Sequence, residues 1–237
     1  MRQIDIPGVD TKFIEQRTGI LLELLERILP KTVGQSFEQR YGLCTKPTLV
    51  RFRILDRRLY VNGFSDISVT TEQFRYFSCN ASRIFITENE INFLSMPDMP
   101  NSMVIFGGGK GVPILKAIDW LREKEIYYWG DIDTHGFDIL DKVRSFLPQT
   151  KSILMTKEVL LQFRALWVTE DKPFAGNLSH LTDEENRLFC ALKDNHWGEH
   201  VRLVQERISF ECVKMVLDSI QSDASNKSCE SKAENQR

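Results

Sequence analysis

"IYYWGDIDTHGFDIL", residues 126–140, is the stretch of sequence that most clearly indicates the fold of this chain. An apolar run of strand character ends in two aspartates, Asp131 and Asp133, and a glycine then opens a segment with helical spacing. Strand side chains alternate with a period of two, so both aspartates can point to one side while Ile132 points into the core. The stretch predicts a strand that ends at an acidic rim and is followed by a helix.

The segments on either side of this stretch predict a parallel sheet. "RIFITE" (83–88) and "SMVIF" (102–106) read as apolar strands before it, and "SILM" (152–155) as a further strand after it. Segments with helical periodicity separate these strands, as in βαβ units, whose parallel sheets are buried on both faces. We therefore expect an α/β fold with a parallel sheet flanked by helices over residues 81–219.

The two ends of the chain are predicted to differ from this central domain. Residues 1–80 should form an α+β lead-in, with an opening helix over residues 10–30 and short strands after it. A last helix is expected over residues 201–217, because apolar residues recur there at helical spacing. The final stretch, residues 220–237, is polar and is predicted to be a disordered tail.

Composition and charge narrow the class of protein. Of 237 residues, 42% are hydrophobic, and the net charge is −2, so the bulk charge does not indicate a nucleic-acid binder. Five scattered cysteines without a CxxC pair, and an N-terminus without an apolar signal-peptide core, favour a reduced, cytoplasmic protein. A basic patch, "RFRILDRR" (51–58), makes Arg51 and Arg53 candidates for DNA contact, although a solvated strand face explains them equally well.

Three acidic residues are expected to meet at one edge of the sheet. Glu88 ends one predicted strand, and Asp131 and Asp133 end another. Ligands of parallel α/β sheets lie beyond the carboxyl ends of the strands, which is where these side chains fall. Close carboxylates disfavour each other's ionisation unless a positive charge compensates them. An all-oxygen set suits Mg²⁺ or Mn²⁺, which can activate water for phosphodiester hydrolysis. The alternative is that the two aspartates cap a helix N-terminus.

Three motifs occur in an order that resembles a known family. "FITENEINFL" (85–94), "IFGGGKGVP" (105–113) and "YWGDIDTHGFDIL" (128–140) are similar to the Toprim domain of topoisomerase VI A-subunits. With "GVDTKFIE" (8–15) and "RLVQERI" (202–208), the chain more closely resembles the C-terminal domain of the JetD family, the nuclease subunits of Wadjet plasmid-defence systems. The likeness covers roughly residues 5–218.

The resemblance implies a Toprim-like fold and a metal-dependent endonuclease that acts on double-stranded circular DNA. It also implies a homodimer that works with an SMC-like motor complex. By position, the family's metal-binding and catalytic acids fall on Glu88, Asp131 and Asp133, and Lys110 becomes a phosphate contact. Where the family usually has an acid after "SILM", this chain has Thr156. Relatives carry a substantial N-terminal portion, where we expect further docking or DNA-binding residues.

Two further residues are weaker candidates for the site. His135 could contact a phosphate or shuttle a proton, but its place between the acid pair and a glycine favours a turn-capping or supporting role. Glu206 could be an accessory residue or part of a solvated helix face. The turn "GGGK" lacks the GxxxxGK[ST] spacing of a P-loop, so ATP hydrolysis is not indicated.

Two alternative functions remain open at this point. "DIDT" imitates the nucleophile motif of haloacid-dehalogenase-type phosphatases, in which the first aspartate attacks phosphate, but no paired-acid motif follows it. A non-catalytic assembly module of an SMC-like complex, with a structural or vestigial metal site, is the other alternative. Thr156 and the slight net acidity are compatible with it.

Overall fold

The computed structural model describes residues 5–29, 37–44, 46–78, 80–108 and 111–234, with side chains up to residue 223. The chain forms two compact units, residues 1–48 and 49–237. The described residues of the first unit form three helices: α1 (Thr11–Gln16), α2 (Thr18–Ile28) and α3 (Phe37–Arg40).

The predicted opening helix over residues 10–30 is interrupted at Arg17, whose φ and ψ are −119° and 17°. The Thr18 hydroxyl donates to the carbonyl of Glu15 at 2.8 Å. Side-chain bonds of this kind to nearby carbonyls compete with the regular helical pattern. The sequence therefore forms two helices instead of one, and Pro30, the expected stop, lies outside the described residues.

The second unit is built on a six-stranded sheet, which confirms the predicted α/β class. Its strands, in spatial order, are β2 (Asp66–Thr70), β1 (Leu49–Ile54), β4 (Ser102–Phe106), β3 (Arg83–Thr87), β5 (Glu125–Trp129) and β6 (Lys151–Ser152). The four strands from β4 to β6 are mutually parallel, whereas β1 pairs antiparallel with β2 and β4. Strands β3 and β4 are almost entirely buried, in keeping with their continuous apolar sequence.

The division into residues 1–80, 81–219 and 220–237 stays a prediction. Two strands of the predicted lead-in, β1 and β2, hydrogen-bond into the same sheet as the central strands. The last helix continues as backbone to Glu234 and so enters the stretch for which a disordered tail is predicted.

Helices and a two-stranded ribbon surround the sheet. Helix α5 (Glu90–Ser95) packs against β3 and β4, and α7 (Thr134–Phe146) packs against α6 (Gly111–Leu115) and α9 (Asp183–Lys193). A buried ion pair between Arg144 and Glu185 joins α7 to α9. The remaining elements are α4 (Thr71–Arg75), α8 (Lys157–Gln162), β7 (Val168–Thr169), β8 (Val201–Arg202) and α10 (Phe210–Glu234).

The predicted helix over residues 201–217 is wrong in its first half. Residues 201–207 form strand β8 and a short 3₁₀ turn, and α10 begins only at Phe210. The backbones of Leu203 and Ile132 exchange two hydrogen bonds, at 2.9 and 3.0 Å. This pairing joins positions 71 residues apart, so local helical periodicity could not reveal it. It places residues 201–207, called the strap below, against the acidic stretch.

Candidate functional site

The ends of three neighbouring parallel strands form the rim on which the predicted acids lie. Glu88 directly follows β3, Asp131 and Asp133 follow β5, and β3 lies between β4 and β5 in the sheet. The turn after β4 joins the same rim, because the Gly107 amide donates to the Thr87 carbonyl at 2.8 Å. The parallel register thus brings the three acids to one edge, as their places in the sequence predict.

Glu88 is a half-buried carboxyl whose neighbours disfavour its charge. Burial and the charges of Asp131 and Asp133 raise its pKa to about 7. A hydrogen bond donated by the Tyr128 hydroxyl, and the nearby Arg202 guanidinium, act in the opposite direction without cancelling the shift. Tyr128 is fully buried, so its ring packs in the core while its hydroxyl reaches the rim.

Gly130 keeps the space between β5 and Glu88 free. A Cβ atom at this position would lie 2.7 Å from the Tyr128 hydroxyl and 3.0 Å from Glu88 Oε1. Both contacts are closer than side-chain carbons tolerate. A glycine here is therefore required by the close approach of the Tyr128–Glu88 pair.

Asp133 is 3% exposed and caps helix α7. Its Oδ1 accepts a hydrogen bond of 2.6 Å from the Gly136 amide, so the capping interpretation is correct for this residue. Burial, followed by the charges of Glu170 and Asp131, nevertheless raises its pKa to about 6. The charged form of Asp133 at neutral pH therefore costs free energy, because the hydrogen bond from Gly136 and the Arg202 guanidinium only partly compensate its burial.

Asp131 is held by the strap, the segment of residues 201–207. Its Oδ1 accepts a bond of 2.8 Å from the backbone amide of Gln205. Its Oδ2 accepts a bond of 2.6 Å from Arg202 Nη2. Asp131 therefore does not cap the helix, in contrast to Asp133.

Arg202 bridges the two aspartates. In addition to its bond with Asp131, its Nε lies 3.0 Å from Asp133 Oδ2. The second contact is an ion pair rather than a hydrogen bond, because Nε is not aligned with any acceptor among the described residues. Sequence reasoning missed this residue, because it assigned the strap to a helix. The guanidinium supplies the positive charge that the paired carboxylates require.

Gln205 links the strap to the end of β3. Its side chain is 1% exposed, and its Oε1 accepts bonds from Thr87 Oγ1 at 2.8 Å and from Asn92 Nδ2 at 3.1 Å. Its backbone amide meanwhile holds Asp131. One residue thus ties the strand end that carries Glu88 to the segment that carries the aspartates. The resemblance of "RLVQERI" to its family was the sequence signal for this role.

A fourth acid, Glu170, lies buried beside Asp133 and was also missed. Its carboxylate accepts bonds from the amides of Thr134 and His135, both at 3.2 Å, and from Thr134 Oγ1 at 2.8 Å. A negative charge there is favourable, because the first amides of a helix have no partner within the helix. This arrangement orients the start of α7 and so the Asp133 cap.

His135 has ring contacts with Lys172 and Glu170. Its Nε2 lies 2.6 Å from the Lys172 carbonyl oxygen and 4.0 Å from Glu170 Oε1. Among the described residues, no hydrogen bond joins its ring to Glu88, Asp131 or Asp133. Its role as a phosphate contact stays a prediction.

The two candidate arginines of the basic patch have partners within the protein. Arg51 makes two bonds to Asp66, at 3.0 and 2.7 Å, and one of 2.5 Å to Glu90. Arg53 donates to the carbonyl oxygens of Phe93 and Leu94. A contact with DNA would have to compete with these bonds, which favours the strand-face interpretation.

The remaining positions singled out in the sequence are Glu206, Thr156 and Lys110. Glu206 accepts a bond of 2.5 Å from Asn89, the residue after Glu88, which places it near the rim. Thr156 caps helix α8 by accepting from the Val159 amide. Lys110 lies outside the described residues.

The donor atoms at the rim suit a hard divalent cation, but their present partners do not leave a site for one. Among the described residues, no group of three or more His, Cys, Asp or Glu side chains is arranged to hold a metal ion. Each aspartate has one oxygen bound to a backbone amide and the other paired with Arg202. The oxygen chemistry therefore fits Mg²⁺ or Mn²⁺, whereas the geometry fits only if Arg202 moves.

Comparison with known proteins identifies the family. Residues 42–217 match the family described as Wadjet protein JetD, C-terminal, and residues 1–26 match a bacterial N-terminal family (DUF3322) described as uncharacterized. No curated protein matches the chain. No helix in the described part of the chain is long and apolar enough to cross a membrane. Because the JetD match spans well over half of the sequence and includes the whole acidic rim and strap, the chain belongs to the JetD family of Wadjet proteins.

Proposed function

We propose that this chain is a metal-dependent DNA endonuclease subunit of a Wadjet-type plasmid-defence system. Its substrate is double-stranded circular DNA, in which it hydrolyses phosphodiester bonds. The observation that carries the proposal is the meeting of Glu88, Asp131 and Asp133 at one rim of a parallel sheet, in a chain of the JetD family. The charges of Asp131 and Asp133, together with burial, raise the pKa of Glu88, which supports placing the three acids in one site.

The residues around the rim have distinct tasks in this proposal. Glu88, Asp131 and Asp133 supply the negative charge that a Mg²⁺ or Mn²⁺ ion needs, and the cation would supply water activation and charge stabilisation. Backbone amides of Gln205 and Gly136 fix one oxygen of each aspartate. Gln205 and Glu170 act as positioning residues, because they orient the segments that carry the acids.

The partners follow from the family and remain part of the proposal. The subunit works with an SMC-like motor complex that recognises circular plasmids, and it does so in the cytoplasm as a homodimer. Two copies of the rim would then face opposite strands of the duplex, which suits a double-strand break. Lys110, His135, Arg51 and Arg53 are the candidate phosphate contacts.

A second candidate function, a non-catalytic assembly module, is favoured by one observation. Arg202 already pairs with both aspartates, so part of the negative charge at the rim is compensated without a cation. The phosphatase alternative has less support, because both oxygens of Asp131, its nucleophile, accept hydrogen bonds.

Plasmid cleavage by the assembled complex tests the proposal. Glu88→Gln keeps the shape of the side chain and an acceptor for Tyr128 but removes the charge, so we expect cleavage of closed-circular plasmid in Mg²⁺ to fall at least about 100-fold. Asp119→Asn, an exposed acid distant in sequence, is the matched control and should cleave normally. Retained cleavage by Glu88→Gln contradicts the proposal. An unaltered complex that binds its partners but does not cleave plasmid with any divalent cation present supports the assembly module instead.

A further inference from the structure

The contacts of Arg202 have a consequence for how a cation can bind. Its Nη2 lies 2.6 Å from Asp131 Oδ2 and its Nε lies 3.0 Å from Asp133 Oδ2. A hard divalent cation bound to the same two oxygens would lie about 2.1–2.2 Å from each of them. The guanidinium and the cation would therefore need the same space, and their positive charges would repel each other.

We infer that Arg202 occupies the cation position between Asp131 and Asp133, so that a divalent cation binds there only when this guanidinium moves away. The inference rests on the proposed function, because it concerns the affinity of the same site. Arg202 thereby controls how tightly the site binds a cation.

The carboxylates do not depend on Arg202 for their positions. Asp131 Oδ1 is held by the Gln205 amide and Asp133 Oδ1 by the Gly136 amide, and both donors belong to the backbone. In each aspartate, the oxygen that faces Arg202 is thus the one that no backbone amide holds. Removal of the guanidinium would leave two fixed carboxylates with their outer oxygens open to a cation.

The strap allows Arg202 to leave without unfolding. Its backbone is anchored by the two hydrogen bonds between Leu203 and Ile132, and these do not involve the Arg202 side chain. The side chain is 37% exposed although its Nε is buried, so rotation of the guanidinium into solvent breaks the two ion pairs but none of these backbone bonds. Gln205 adds a second anchor, because its buried side chain accepts hydrogen bonds from Thr87 and Asn92.

Titration of the purified full chain with Mn²⁺, followed by the electron paramagnetic resonance signal of the free ion, tests the inference. Arg202→Gln removes the charge but keeps polar atoms, and we expect it to bind Mn²⁺ at least about tenfold more tightly than the unaltered chain. Addition of Asp131→Asn to this variant should abolish the gain. Arg207→Gln is the matched control, because Arg207 lies in the same strap but donates to the Leu166 carbonyl. This control should bind as the unaltered chain does.

Three outcomes would overturn the inference. Equal binding by Arg202→Gln and the unaltered chain would show that the guanidinium does not compete with the cation. Weaker binding by Arg202→Gln would show that Arg202 instead holds the carboxylates in place. Absence of binding by both chains would show that the opened carboxylates do not attract Mn²⁺. None of these results requires plasmid cleavage to fail, so the Glu88→Gln experiment distinguishes failure of the proposed function from failure of this inference.

Discussion

An asparagine in place of Asp133 should leave the protein folded and reduce plasmid cleavage about 1,000-fold, a loss of about 4 kcal/mol in transition-state stabilisation. Asparagine caps helices as well as aspartate does, so its amide oxygen can accept the bond from Gly136. The substitution removes a buried charge that Glu170 and Asp131 disfavour, which offsets the lost contact with Arg202. The net effect is therefore the loss of the negative charge that Asp133 offers to a cation.

Plasmid cleavage by the assembled complex and thermal unfolding of the purified chain measure these two effects separately. Asp138→Asn is the matched control, because Asp138 is a buried acid on the same helix that pairs with Lys142 instead of facing the rim. The control should cleave at the normal rate. If Asp133→Asn cleaves normally while remaining folded, Asp133 serves only as a helix cap.

An alanine in place of Gly136 should cost about 3 kcal/mol of folding free energy and lower the melting temperature by roughly 6–12 °C. The new Cβ atom would lie 2.1 Å from the Asp131 carbonyl oxygen and 3.3 Å from Asp133 Oδ1. The first contact is with backbone, which cannot rotate away. Helix α7 or the acidic stretch must therefore shift, and we expect cleavage to be lost together with stability.

Gly19→Ala provides the matched control for this substitution. Gly19 also lies in the first turn of a helix, α2, but a Cβ atom there meets nothing within 4 Å. Alanine favours helix by about 0.5–1 kcal/mol over glycine, so this control should not lower the melting temperature. Equal melting temperatures for the two variants would mean that the Gly136 contact is not tight in solution.

The strands and the acidic rim could be predicted from the sequence because their signals are local. "RIFITE" and "IYYWGDID" are continuous apolar runs that end in acids, and a parallel sheet necessarily brings such ends to one edge. The position of Glu88 beside Asp131 and Asp133 thus needed only the order of the elements.

The strap could not be predicted in the same way. Val201 and Val204 of the strap, together with Ile208 beyond it, recur at helical spacing. Leu203 nevertheless pairs with Ile132 across 71 residues of sequence. Arg202 and Gln205 reach the rim only because of this non-local pairing. A sequence alone shows the excess of negative charge at the rim, but not whether a metal ion or an arginine compensates it.

Diffraction from crystals soaked in Mn²⁺, recorded for its anomalous signal, tests the central claim most directly. The account predicts a peak within about 2.1–2.2 Å of carboxylate oxygens from Asp131 and Asp133, with Glu88 beside it and the Arg202 guanidinium displaced from both aspartates. The same peak should appear at lower Mn²⁺ concentration in crystals of Arg202→Gln. The absence of a peak at the rim in both crystals, with the carboxylates exposed in the variant, would contradict the claim that this rim is a metal-dependent nuclease site.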